Sequence, residues 1–269
     1  MRSRLTVLIT ALVLVVTIVS PAAFGQAGQR ANAPPASPPH DPHDLSGIWL
    51  QRGGGGGNDS RPHSEWTREP LPFTPAGKAL FDSRKPGKGP RADLPAKGND
   101  PLGTATVPGL LRTLVYGRPM QFIHTQDKTV QLFEWFRIWR EIWTDGRPMA
   151  EDPGPRFYGY SVGKWDGSAF IVETTGLDPR LWGDEWGMPF SEEMRVVERW
   201  RRLDRDNMEL TITFTDPKMY TKPWTTDTRR YRLQQKGTPN GEMLEVIFAP
   251  IDELHFNDLI RDLSNGVKQ

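Results

Sequence analysis

Residues 159–163, Gly-Tyr-Ser-Val-Gly, have the spacing G-x-S-x-G, which can present a nucleophilic serine on a strained turn. Such an elbow needs a strand before it and a helix after it, because the helix N-terminus helps to build the oxyanion hole. Here Gly163 is followed by "KWDGSAFIVET", which reads as a tight turn at Asp166–Gly167 and a second strand. With no helix to receive the turn, Ser161 is expected to be an ordinary strand residue. The two glycines then mark bending or the close approach of a neighbouring side chain.

A second set of candidates is charged. In Val130–Ile142 the even positions are Val130, Leu132, Glu134, Phe136, Ile138, Arg140 and Ile142, an apolar face broken only by Glu134 and Arg140. In Met194–Arg202 the even positions are Met194, Val196, Glu198, Trp200 and Arg202. If both faces point inward, Glu134, Arg140 and Glu198 converge on one interior, with His124 nearby. A carboxylate beside an arginine there is either a structural ion pair or a clamp for a polar head group. One without a cation has a raised pKa and can act as an acid or base. Glu134, Glu198 and His124 are therefore the catalytic candidates. "HDPHD" (His40 to Asp44) offers metal donors but no rigid geometry, and H-E-x-x-H occurs nowhere, so no metal site is expected. No cofactor is expected either.

The elements that must position these residues are mostly strands. "DLSGIWLQ" reads as a first strand ended by "GGGGGN". Residues 59–115 form a long loop rich in Pro and Gly, with one helix starting at Thr74–Pro75. Beyond Arg118 come hairpins: "MQFIHTQDKTVQLFEW", the strand "FRIWREIW", "FYGYSVGKWDGSAFIVET", "EMRVVERWRRLDRDNMELTITFTD", and "TRRYRLQQ" with "EMLEVIFA". Met208 to Asp216 alternates most cleanly. The expected fold is all-β: an antiparallel meander of about nine or ten strands closed into a lipocalin-like barrel, with a long irregular insertion and short peripheral helices. "PIDELHFNDLIRDLSNG" is expected to add a final short helix.

The ends and composition narrow the setting. Arg2 and Arg4 precede an uncharged apolar run from Leu5 to Val19, then Pro21 and small residues, the pattern of a secretory signal peptide over 1–27. A flexible lead-in (28–44), a single barrel domain (45–264) and a tail (265–269) come next. The expected location is periplasmic or secreted, with no stable membrane span after signal removal. There are no cysteines, which excludes disulfides and thiol chemistry. Lys+Arg 34 against Asp+Glu 33 leaves no field to attract nucleic acid. Ten tryptophans are many, and suit a core or the wall of an apolar ligand site.

"SGIW" at Ser46 to Trp49 resembles the G-x-W signature of lipocalins and related calycin barrels, matched by Gly47 and Trp49. That resemblance implies a tryptophan closing one end of the barrel beneath a basic residue. More broadly, Ser46 to about Asn257 resembles a large, essentially uncharacterised family of secreted soil-bacterial proteins, through "REIWTDGR", "GYSVGKWDG", "VVERWRRLD" and "TDPKMYTKPW". That family places an acidic residue after the W-D-G turn, where this chain has Ser168, so no role is carried to that position. The expected function is binding of a small apolar or amphipathic molecule in the barrel by Trp49, Glu134, Trp139, Arg140, Tyr160, Glu198, Trp200, Tyr220 and Trp224, the last two covering the mouth. The alternatives are a barrel enzyme (isomerase, cyclase or hydrolase) using inward carboxylates, and an envelope structural or interaction module presenting loop 59–115.

Overall fold

A computed structural model describes residues 39–53, 61–94, 97–104, 106–239 and 241–245. The strands run in chain order as β1 (Gly47–Gln51), β2 (Met120–His124), β3 (Lys128–Phe133), β4 (Ile138–Trp143), β5 (Tyr160–Asp166), β6 (Ala169–Thr175), β7 (Arg195–Arg202), β8 (Asn207–Thr215), β9 (Trp224–Thr225) and β10 (Arg229–Leu233). Each of β1 to β8 pairs with the next. β10 pairs with both β1 and the first half of β8, which closes a barrel of nine strands. β9 adds a two-residue pairing to the far half of β8. The all-β barrel is as expected.

One join differs from a meander: β4 and β5 are parallel. Directions that alternate around a closed ring require an even number of strands, so nine strands force at least one parallel pair. Residues 144–159, between the two, carry the chain back across the barrel. The expected last hairpin is also corrected. Both edges of β10 are occupied by β1 and β8. Residues 241–245 carry no strand. The rest of "EMLEVIFA" lies outside the described residues, as do the expected final helix, the signal peptide, the tail and most of the glycine run.

Alternation decides what faces inward. β8 follows it throughout: Met208, Leu210, Ile212 and Phe214 are buried and the residues between them are not. Its partner β7 buries Val196, Glu198, Trp200 and Arg202. In Val130–Ile142, however, the expected continuous even face is broken. β4 buries its even positions Arg140 and Ile142, while β3 buries the odd Thr129, Gln131 and Phe133. The parity changes across Glu134–Arg137, where Phe136 and Arg137 adopt φ of 64° and 51°, a left-handed conformation that side chains other than Gly rarely take.

The β5–β6 hairpin carries the GxSxG stretch. Asp166 pairs with Ala169, so the two-residue loop is Gly167–Ser168, one position later than expected, with Gly167 at φ 56°. Ser161 is a buried strand residue opposite Thr174, its hydroxyl 2.8 Å from that of Thr174. Gly163 gives room for its neighbours: a Cβ there would come within 2.7 Å of Ile142 Cγ2 and Phe170 Cζ. We expect Ser161→Ala to cost about 1 kcal/mol, the usual net worth of one hydrogen bond, and to leave ligand binding within about threefold. A thousandfold loss of activity from a folded variant would restore the nucleophile.

Two helices flank the barrel. α1 (Pro75–Ser83) begins as the sequence indicates, with Thr74 Oγ1 accepting from Gly77 N (3.0 Å). α2 (Gly109–Tyr116) is an addition to the expected elements. Every residue from Gly109 to Val115 is buried. It lies over the barrel end reached by Gln51, where Arg229 Nη1 donates to Val115 O (3.5 Å).

Candidate functional site

The barrel interior is crossed by one polar network. Arg140 Nη1 and Nη2 donate to Glu198 Oε1 (2.8 Å) and Oε2 (2.6 Å), and Arg140 Nε donates to Gln131 Oε1 (2.8 Å). Trp200 Nε1 donates to Glu198 Oε2 (2.9 Å) and Gln131 Nε2 to Met120 Sδ (3.0 Å). The two charged side chains are 2% and 0% exposed, so each must neutralise the other. Phe122, Phe170, Trp200 and Tyr231 are buried in the apolar core of the same barrel. Glu198 therefore has its cation and its hydrogen bonds and is a structural anchor.

The other expected residues scatter. Glu134 is buried in the β3–β4 turn, where its Oε2 accepts from Leu244 N (3.0 Å); among the described residues no cation lies within ion-pair distance of it. Trp49 is fully buried, its Nε1 donating to Leu45 O (2.8 Å), and the Arg202 guanidinium lies 5.4 Å over its ring. Tyr220 and Trp224 are buried against Phe73 and Phe214, beyond the α2 end, in close packing. Two assignments are corrected by parity. Trp139 is 60% exposed on the outer face of β4. Tyr160 also points outward, beneath the Arg156 guanidinium. Neither lines the interior.

At the opposite end the barrel opens into a recess of about 420 Å3 lined by His43, Asp44, Ser46, His124, Thr125, Thr129, Thr144 and Trp165. His124 Nε2 accepts from Leu45 N (3.1 Å), so the ring is the Nδ1–H tautomer and donates to Thr129 Oγ1 (2.9 Å). Burial lowers the His124 pKa, with the Asp44 carboxylate opposing it weakly. Asp44 itself is held below the usual carboxylate range: burial acts against this, and the Ser46 hydrogen bonds and Arg202 outweigh it. His43 meets Trp165 edge-on at 4.9 Å and its Nε2 lies 3.0 Å from Gly167 O. The recess thus offers an indole, two imidazoles, a carboxylate and four hydroxyls. A second cavity of about 450 Å3 lies outside the barrel wall between Pro101, Phe157 and Leu181.

A set of charges that no strand pattern points to lies in the segment between β6 and β7. Leu181 to Ser191 is buried throughout without forming a strand or helix. Such a segment must satisfy its own main chain, and Asp184 does much of this. Its Oδ1 accepts from Trp186 N (3.0 Å) and Met188 N (2.8 Å), its Oδ2 from Ser64 Oγ (2.7 Å) and Glu65 N (3.0 Å). The cluster of "W-G-D-E-W-G-M" is the available signal, since two tryptophans and a methionine are rarely all left in water.

Glu65, buried beside Asp184, has its pKa pushed up to about 7, first by burial and then by the Asp184 charge. A carboxyl raised in the folded state stabilises fully below about pH 4.5, and that contribution is lost as pH rises through about 7. His63 and His124, both lowered by burial, act with opposite sign: their contribution is present above about pH 6.5 and is lost as pH falls below it. We expect Glu65→Gln to gain stability relative to the wild type between pH 5 and pH 8. Denaturant unfolding at both pH values tests this, and an unchanged difference would mean that Glu65 is ionised in both states.

No family model matches the chain, and neither does a curated protein or a solved structure.

Proposed function

We propose that the chain is an exported, lipocalin-like binding protein that holds a small amphipathic molecule at the open mouth of its barrel. The observation that carries this reading is the 420 Å3 recess, within the size range of small-molecule sites. Its lining supplies a Trp165 surface for apolar contact and a ring of hydroxyl, imidazole and carboxylate groups for a polar head. The barrel below it is occupied by Arg140, Glu198 and aromatic side chains, so the ligand sits above this plug. Export is supported by the basic, apolar and small-residue order of the first 27 residues. Trp49 beneath Arg202 agrees with the lipocalin resemblance. The family resemblance through "GYSVGKWDG" and "VVERWRRLD" supports a secreted relative without supplying a ligand.

Thr144 is half-buried in the recess lining and lies outside the His124–Thr129 pair. Thr144→Trp is expected to fill the recess and abolish binding with little change in melting temperature. Native mass spectrometry of wild type and variant, followed by extraction of co-purified small molecules, provides the measurement. A ligand retained equally by both would place it elsewhere.

Glu134, buried with no cation beside it among the described residues, favours the barrel enzyme as a second reading, with its substrate at the α2 end and not in the recess. There, Glu134→Gln would retain the bound molecule but stop its conversion, read as an unchanged ligand mass after incubation.

A further inference from the structure

The α2 end of the barrel holds three side chains, each with a buried polar atom that has no hydrogen-bond partner among the described residues. Among the described residues Arg229 donates only to main-chain carbonyls, Glu65 O (2.6 Å) and Val115 O (3.5 Å), and its guanidinium lies 4.5 Å over the Trp66 ring. Among the described residues no carboxylate lies within ion-pair distance of it, and its Nε is buried without a partner. The nearby Glu65 carboxylate is engaged by Glu185 N (2.9 Å). Tyr231, two residues along β10 on the same inward face, is 1% exposed, and its hydroxyl is also unpartnered. Gln51 stands opposite Tyr231 across the β1–β10 pair, and its Oε1 is the third such atom. Gly117 closes over it: a Cβ there would come within 3.1 Å of Gln51 Oε1.

Directly opposed positions place Cβ atoms about 5 Å apart, and positions two apart on a strand about 7 Å. The three side chains therefore start from neighbouring positions on one inward face, and the Arg229 charge acts on the Tyr231 hydroxyl. A buried guanidinium without an anion and a buried phenol without an acceptor are both unfavourable, and one oxyanion relieves both. The Gln51 amide, turned over, adds an N–H donor to the same group. We propose that Arg229, Tyr231 and Gln51 form a binding site for a carboxylate, either a small free one or the head of a longer aliphatic acid. The site is at the opposite end from the mouth recess and does not depend on the reading of that recess.

The test is thermal unfolding of the full chain in sodium acetate and in sodium octanoate, each against sodium chloride at matched ionic strength. The expected result is a saturable rise in melting temperature with carboxylate and none with chloride. A response to acetate identifies a small free anion; a response to octanoate alone identifies an aliphatic acid. Tyr231→Phe should raise the half-saturating concentration by about fivefold or more, the loss of one hydrogen bond to a charged group, and Arg229→Gln should remove the response. If Arg229→Gln does not fold, the Tyr231→Phe comparison decides. No saturable response to either acid would overturn the proposal. So would a Tyr231→Phe variant with the same half-saturating carboxylate concentration as the wild type, since the hydroxyl would then take no part in binding.

Discussion

Arg140→Met should destabilise the protein by roughly 3–5 kcal/mol, because it strands Glu198 as a buried charge. Glu198 is fully buried and would keep only the Trp200 indole as a hydrogen-bond donor. Glu198→Met should cost a similar amount by stranding the guanidinium. The double variant replaces both charges with side chains that fit an apolar interior, so it should recover to within roughly 2 kcal/mol of the wild type. Denaturant unfolding of all four proteins completes the cycle. Glu134 and Arg140 serve as the control, because Glu134 bonds Leu244 and not Arg140; that cycle should be additive. Additivity in the Arg140–Glu198 cycle would mean that the bidentate pair is not formed in solution.

Trp49→Ala should cost roughly 3–5 kcal/mol, the range for deleting a buried aromatic, and lower the melting temperature by roughly 10 °C for a domain of this size. Three contacts are lost together: the ring packing between Met120 and Leu233, the hydrogen bond to Leu45 O and the Arg202 stacking. Trp139→Ala is the matched comparison. That side chain is 60% exposed, and its removal should stay within about 0.5 kcal/mol. Equal melting temperatures for the two variants would contradict the strand parity on which the barrel assignment rests.

That parity is legible wherever one strand carries its own alternation. Met208 to Phe214 and Val196 to Arg202 identify their inward faces from spacing alone, and the Ser161 hairpin is legible from the turn and strand residues after Gly163. Parity fails at Glu134–Arg137. Nothing in "EWFR" signals left-handed Phe136 and Arg137, so one even face counted from Val130 to Ile142 is right for β4 and wrong for β3. Trp139 lies on the odd, outer face of β4, and its large indole alone argues for a ligand wall. The partners of the charges are illegible for a different reason. Arg140 meets Glu198 58 residues later through three intervening strand pairings, and only closure of the barrel brings them together. Asp184 and Glu65 escape a reading by alternation because an irregular segment that buries itself has no period at all.

The single parallel join has a mechanical consequence. β4 and β5 share two paired positions, Ile142–Ser161 and Trp143–Val162, against six between β3 and β4 and seven between β5 and β6. The ring is thus a hoop fastened by a short clasp. Undoing the clasp does not divide the barrel, because every other join remains; it yields one curved ribbon with two raw edges. The edge formed by β4 presents unpaired main chain beside the already exposed Trp139, the kind of edge onto which another strand adds. Amide exchange should therefore be fastest along this join within the ring, and self-association on mild heating should begin there while the β6–β7–β8 wall is still intact.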